Sequence, residues 1–114
     1  MKQQQTKIKI GLTGYNSEIC KKFLNIYKNK YQFYNYKGNI NNIKQTKKWL
    51  KKNNKINVLI NFAAIVSKEK CFKNKRLALK TNCESVLNIA KILNNKQFKE
   101  FQYLMLLSTS HVFS

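Results

Sequence analysis

The chain has 114 residues, which is enough for one domain with a single hydrophobic core. It carries 23 basic and 4 acidic residues, and its formal net charge of +19 first suggests a nucleic-acid or anionic-membrane partner. Arg76 is the only arginine, however, and the lysines are spread over every segment, so the composition argues against a dedicated nucleic-acid function and favours drift in an AT-rich genome.

Predicted strands and helices alternate along the chain. Strands are predicted where apolar or aromatic residues run together, and helices where apolar residues recur at helical spacing. Strands are predicted at residues 7–13, 31–36, 56–63 and 103–107, and helices at 17–28, 42–53 and 76–93. Ser17 is placed to cap the first helix. The order β-α-β-α-β-α-β predicts an α/β fold, a Rossmann-type doubly wound parallel sheet with helices on both faces.

The spacing of apolar residues also predicts which side of each helix packs on the sheet. These residues are Ile19, Phe23, Ile26 and Tyr27 in the first helix, Ile43, Trp49 and Leu50 in the second, and Leu79, Val86, Ile89, Ala90 and Leu93 in the third. Cys20 lies on a helix side that should pack as well.

The three cysteines, Cys20, Cys71 and Cys83, form no CxxC pair and have no metal-type spacing with His111, the only histidine. They are expected to be free thiols in a reducing cytosol, with no metal site. No apolar run approaches the roughly 18 residues that span a bilayer, and the first residues lack a signal-peptide pattern. The sequence therefore predicts a soluble cytoplasmic protein without a membrane partner.

The turn between the first strand and the first helix lies where dinucleotide-binding folds place a glycine-rich phosphate turn. Gly14 satisfies the turn, while Ser17 and Cys20 stand where a GxxGxxG pattern would have its second and third glycines. Both side chains are small, so a pyrophosphate could still approach the helix N-terminus. Taken alone, the turn fits a plain strand-to-helix connection equally well.

Later segments carry a more specific resemblance. They are Asn61-Phe62-Ala63-Ala64, Leu77-Ala78, Asn82 and Ser108-Thr109-Ser110-His111-Val112-Phe113. Together they resemble the extended short-chain dehydrogenases, the NAD-dependent epimerase/dehydratase superfamily, and most closely the dTDP-4-dehydrorhamnose reductase group. That group has an Asn-Ala-Ala-Ala segment after one strand and a Ser-Thr-Asp-Tyr-Val-Phe segment after the next. The resemblance implies that residues 1–114 form one NAD(P)-binding domain, with the substrate domain absent.

The resemblance also implies roles for individual residues. The cofactor-binding set is Gly14, Asn16, Ser17 and Ile19 at the phosphate turn, Asn39 and Ile40 near the adenine, Phe62, Ala63, Ala64 and Ser108 at the strand ends, and Asn82 as a brace for the strand loops. Thr109 occupies the Ser/Thr position of the catalytic triad, where a hydroxyl orients the substrate carbonyl. The substrate of a complete relative is a nucleotide sugar, with hydride transfer at a keto carbon of the sugar.

Two departures from the family pattern qualify these expectations. No acidic residue follows the second predicted strand to bond a ribose 2′-hydroxyl, and Lys37 stands nearby, so NADP is slightly favoured over NAD. The family's Tyr-x-x-x-Lys pair does not occur after Thr109. We therefore expect the N-terminal part of a longer enzyme, or a truncated product, that cannot complete the reaction by that mechanism.

Other interpretations remain open at this point. Thr109 fits a turn hydroxyl equally well, and His111 fits an exposed loop residue. A noncatalytic basic module for RNA or another polyanion would use the aromatic and lysine residues of one segment as a stacking platform. Its aromatic residues are Tyr27, Tyr31, Phe33, Tyr34 and Tyr36. A nonfunctional gene fragment is a third possibility, and a homodimer is compatible with the sequence.

Overall fold

The structure is a computed structural model that describes residues 7–63 and 73–106. The predictions made for Ala64, Cys71, Ser108, Thr109 and His111 lie outside the described residues.

Strands and helices alternate in the described part of the chain, as the sequence predicts. The strands are β1 (Lys9–Thr13), β2 (Gln32–Tyr36), β3 (Val58–Asn61) and β4 (Tyr103–Leu106). The helices are α1 (Glu18–Tyr27), α2 (Ile43–Lys52), α3 (Lys75–Leu79) and α4 (Ser85–Leu93). The strands form one parallel sheet in the order β2-β1-β3-β4. This confirms the predicted α/β, Rossmann-type architecture.

Helices cover both faces of this sheet, and each face has its own hydrophobic core. The α1-side core consists of Ile10, Leu12, Cys20 and Phe62. The α2-side core consists of Tyr36, Ile40, Leu50, Ile56, Leu59, Ile89, Leu93 and Phe98, and it receives α2 and α4. Successive β1 residues point to opposite faces, so a strand in the middle of the sheet needs apolar or small residues at every position. The run Ile10-Gly11-Leu12 in β1 meets that need.

Several apolar residues lie outside these cores, contrary to the packing sides that the spacing predicts. Ile19 and Ile26 of α1 are exposed, and so are Ile43 and Leu79. In α1 the packed stripe begins at Cys20, because apolar residues occupy more than one side of this helix and only its orientation on the sheet selects between them.

The predicted long helix at 76–93 contains a change of helical geometry. Its backbone continues from α3 into α4 through a π-helical turn, Lys80–Glu84, in which the Ser85 N–H donates to the Lys80 carbonyl. A hydrogen bond of a π-helix spans five residues instead of the four of an α-helix, so the turn contains one extra residue. Such turns are frequent at functional sites. Within residues 7–63 and 73–106, no helix is long and apolar enough to cross a membrane.

Candidate functional site

The carboxyl ends of the strands meet at one edge of the sheet. Thr13 is in register with both Tyr36 and Asn61, and Asn61 with Leu106, so the last residues of the four strands lie side by side. The helix after β1, α1, lies on one face of the sheet, and α4, which comes later in the chain than β3, lies on the other. In open α/β sheets a ligand binds in the crevice at such a switch point.

The turn after β1 lies against the end of β3. Gly14 has a φ of 79°, in the left-handed region that favours glycine. A Cβ atom added at Gly14 would lie 2.5 Å from the carbonyl carbon of Phe62 and 2.8 Å from the Cα of Ala63. Only glycine fits both the dihedral and the contact. The structure thus brings together Gly14, Phe62 and Ala63 of the predicted site.

The start of α1 is held by hydrogen bonds of the same turn. The Ser17 Oγ accepts from the Cys20 N–H at 3.0 Å, and the Ser17 N–H donates to the Gly14 carbonyl at 3.0 Å. Ser17 is therefore the N-cap of α1, as predicted. Asn16 and Ile19 flank it on the surface, with Ile19 52% exposed.

A buried polar pair fixes the ends of β1 and β3, and the sequence did not predict it. The Thr13 hydroxyl donates to Asn61 Oδ1 at 2.5 Å, and the same oxygen accepts from the Ala63 N–H at 3.0 Å. Thr13 is fully buried and Asn61 is 4% exposed. The signal in the sequence was a polar residue at the last position of each of two apolar strands.

The loop after β2 contains the residues expected near an adenine. Asn39 is exposed, and its Oδ1 accepts from the Asn41 N–H at 2.9 Å. The Ile40 side chain is instead buried in the α2-side core. Tyr36, the last residue of β2, is buried, with its hydroxyl 3.0 Å from the Thr46 hydroxyl, whereas Lys37 is exposed. A lysine is thus the first exposed side chain after β2.

Asn82 and Phe62 are the remaining described residues of the predicted site. Asn82 is half-buried in the π-helical turn. Phe62 is 7% exposed and packs in the α1-side core, with its ring 5.8 Å from that of Phe23. The Phe62 side chain therefore supports the helix, while its backbone follows β3 to the edge.

The sequence profile of the NAD dependent epimerase/dehydratase family matches residues 9–114. The chain belongs to this family. No curated protein matches it by sequence.

Solved structures show the same fold at low sequence identity. A dTDP-4-dehydrorhamnose reductase from Bacillus anthracis in complex with NADP has a TM-score of 0.72 at 21% identity, over 80% of this chain and 34% of that chain. A hypothetical dTDP-4-dehydrorhamnose reductase from Sulfolobus tokodaii has a TM-score of 0.77 at 23% identity, over 92% and 40%. The UDP-rhamnose synthase of Acanthamoeba polyphaga mimivirus has a TM-score of 0.70 at 14% identity, over 91% and 38%. This family member spans about a third of the dTDP-4-dehydrorhamnose reductases it resembles.

The aromatic residues considered for a stacking platform are divided between the two faces of this epimerase/dehydratase chain. Tyr31 and Phe33 pack on the α1-side core, whereas Tyr34 and Tyr36 belong to the α2-side core. Tyr27 packs against Phe23 and Tyr31 with ring centroids 5.0 and 5.8 Å apart. The aromatic rings thus fill cores on both faces and do not form one platform.

Two of the three cysteines fall in the described part of this family member. Cys20 is fully buried against the sheet, and this burial raises the pKa of its thiol, whereas Cys83 is exposed. A thiol with a raised pKa stays protonated and is a poor nucleophile. Cys20 is therefore a packing residue. Among the described residues, no group of three or more His, Cys, Asp or Glu side chains could hold a metal ion.

Proposed function

We propose that this chain is the NAD(P)-binding portion of a sugar-nucleotide reductase or epimerase. The observation that carries the proposal is the turn at Gly14, where a left-handed backbone lies so close to β3 that a Cβ atom would not fit. A capped helix begins directly after it. Backbone N–H groups at a helix start favour an anion, so a pyrophosphate would be bound there.

The residues of the edge would divide the cofactor between them. Gly14, Asn16, Ser17 and Ile19 would hold the pyrophosphate and the adjoining ribose, and Asn39 the adenine. Phe62, Ala63, Ala64 and Ser108 would lie against the cofactor at the strand ends, with Asn82 behind the strand loops. The bound cofactor would supply or accept a hydride. In the described part, the chain's own contribution is to bind and orient it.

NADP is the cofactor that we favour slightly. Tyr36 buries its hydroxyl against Thr46, so the last side chain of β2 is not available to a ribose 2′-hydroxyl, and Lys37 is the first exposed side chain after β2. A lysine there would attract a 2′-phosphate, whereas an acidic residue would repel it. The Bacillus anthracis reductase that shares this fold is in complex with NADP.

The substrate of the whole enzyme would be a nucleotide sugar, as the names of the similar reductases and of the mimivirus synthase indicate for those proteins. Thr109 would orient the keto group that exchanges the hydride.

The test is a calorimetric titration of the purified chain with NADPH and NADH at moderate salt. Asn16→Glu places a negative charge in the exposed turn where the pyrophosphate would bind, so NADPH affinity is expected to fall about tenfold, a change of about 1.4 kcal/mol in binding free energy. NADPH should bind more tightly than NADH.

The matched control is Asn29→Glu, an exposed asparagine outside the site that gives the same change in net charge. It should retain the wild-type affinity, because a general attraction of NADPH to a positively charged protein would respond equally to both variants. A folded wild-type chain that binds neither dinucleotide, or equal losses in the two variants, would contradict the proposal.

A further inference from the structure

The loop after β2 is joined to the π-helical turn by one asparagine. Asn41 Nδ2 donates to the Thr81 hydroxyl at 2.8 Å, and the Ser85 hydroxyl donates to Asn41 Oδ1 at 2.5 Å. Thr81 is 9% exposed and Ser85 is 2% exposed, so both hydroxyls are buried, and Asn41 is half-buried against them. Both polar ends of one amide are used by hydroxyls of the same helix, four residues apart.

These two hydroxyls are placed by the π-helical turn: Thr81 lies within it and Ser85 directly follows it. The Ser85 N–H bonds to the Lys80 carbonyl, five residues back, so the helix is locally wider between Thr81 and Ser85. Both side chains face the loop and bind the same amide. The π-helical turn, which also contains Asn82, is therefore bonded to Asn41 in the loop after β2.

The same asparagine sets the conformation of its own loop. Its backbone N–H donates to Asn39 Oδ1 at 2.9 Å. On the opposite side, the Tyr36 hydroxyl donates to the Asn39 carbonyl at 3.2 Å, and the Asn42 carbonyl accepts from the Thr46 hydroxyl at 2.9 Å. The backbone of this loop is thus held from β2 by Tyr36 and from α2 by Thr46, and Asn41 links the Asn39 side chain to the long helix.

We infer that Asn41 is a positioning residue for the adenine end of the cofactor: through Thr81 and Ser85 it fixes the loop whose Asn39 would contact the base. The inference rests on the proposed NAD(P)-binding function and adds to it a residue that does not itself touch the cofactor. Without the link the loop samples more conformations, and binding carries the added entropic cost of ordering it.

The test uses adenosine 2′,5′-bisphosphate, which contains the adenine end without the nicotinamide, and measures its affinity by calorimetry. Asn41→Leu removes both side-chain hydrogen bonds at similar volume, and the double variant Thr81→Val with Ser85→Ala removes the same bonds from the helix side. Both are expected to lose about tenfold in affinity. Thr81→Ser should retain most of it, because it keeps the hydroxyl that accepts from Asn41 Nδ2 and adds no charge.

The control is Asn25→Leu, the same substitution at an exposed asparagine of α1, which should bind like the wild type. Thermal unfolding of each variant reports whether it is folded, and retained affinity in Thr81→Ser, which keeps the hydroxyl but loses its methyl group, separates the hydrogen bond from a general loss of packing. Unchanged affinity in folded Asn41→Leu, or a loss of about tenfold in folded Thr81→Ser, would overturn this inference while leaving the proposed function standing. A wild-type chain that binds neither the bisphosphate nor NADPH would overturn both.

Discussion

Two buried polar side chains at the strand ends show how single residues shape the candidate site. The Asn61 amide oxygen accepts from both the Thr13 hydroxyl and the Ala63 N–H, so one atom joins β1, β3 and the segment that follows β3. Within the described residues, no fully buried side-chain polar atom lacks a hydrogen-bond partner. A buried group that loses its partner keeps its desolvation cost, so the two partners of this pair are not equivalent.

Removing Asn61 should therefore destabilise the protein more than removing the Thr13 hydroxyl. Asn61→Ala leaves the Thr13 hydroxyl and the Ala63 N–H without their acceptor and is expected to lower the free energy of unfolding by about 2–3 kcal/mol. In Thr13→Val, the Asn61 oxygen keeps the Ala63 N–H, and the expected loss is about 1 kcal/mol. Urea denaturation followed by circular dichroism measures both losses. Equal losses would mean that the shared acceptor does not join the two strands.

At the scale of elements, the sequence predicted the order and type of every strand and nearly every helix in the described part. The strand positions followed from apolar runs that only a buried sheet accommodates, and Ser17 marked the start of α1 through a local hydrogen bond. The exposed Ile19 and Ile26 were assigned to the wrong side, because spacing within a helix does not fix its rotation on the sheet. The link from Asn41 to Ser85 joins residues 44 positions apart, beyond the reach of local patterns.

The cap of α1 allows stability and cofactor binding to be separated. Ser17→Ala removes the acceptor of the Cys20 N–H and is expected to lower the free energy of unfolding by about 1 kcal/mol. Ser17→Asp keeps an acceptor and adds a negative charge favoured by the helix dipole, so its stability should match the wild type. The same charge would repel a pyrophosphate, and NADPH affinity should fall. Parallel urea denaturation and NADPH titration measure these effects.

These two variants give opposite patterns if the turn is both a cap and a phosphate site. Tight NADPH binding by a folded Ser17→Asp variant would show that the phosphates bind elsewhere. An unchanged free energy of unfolding in Ser17→Ala would show that the cap contributes little to α1.

For the whole molecule, the dominant feature is a charge of +19 carried largely by exposed lysines. On α2, Lys44, Lys47 and Lys51 are spaced three and four residues apart, so they repel one another along one side of the helix. Lys47 and Lys51 also line a cleft with Lys91 of α4. Such repulsion lowers stability at low ionic strength and is screened when salt is added.

Thermal unfolding should therefore shift upward with salt, by about 5 °C between roughly 20 and 500 mM NaCl, which corresponds to about 1 kcal/mol for a domain of this size. Lys47→Glu converts the pairs with Lys44 and Lys51 from repulsive to attractive, and the new carboxylate would precede Lys51 by four residues, which is the favourable order. This variant should unfold at a higher temperature than the wild type at the low salt concentration and at nearly the same temperature at the high one. If salt failed to stabilise the wild type, or if the gain from Lys47→Glu persisted at high salt, charge repulsion would not be what limits stability. A gain that persisted at high salt would have to come from uncharged packing contacts of the introduced side chain, because salt does not screen those.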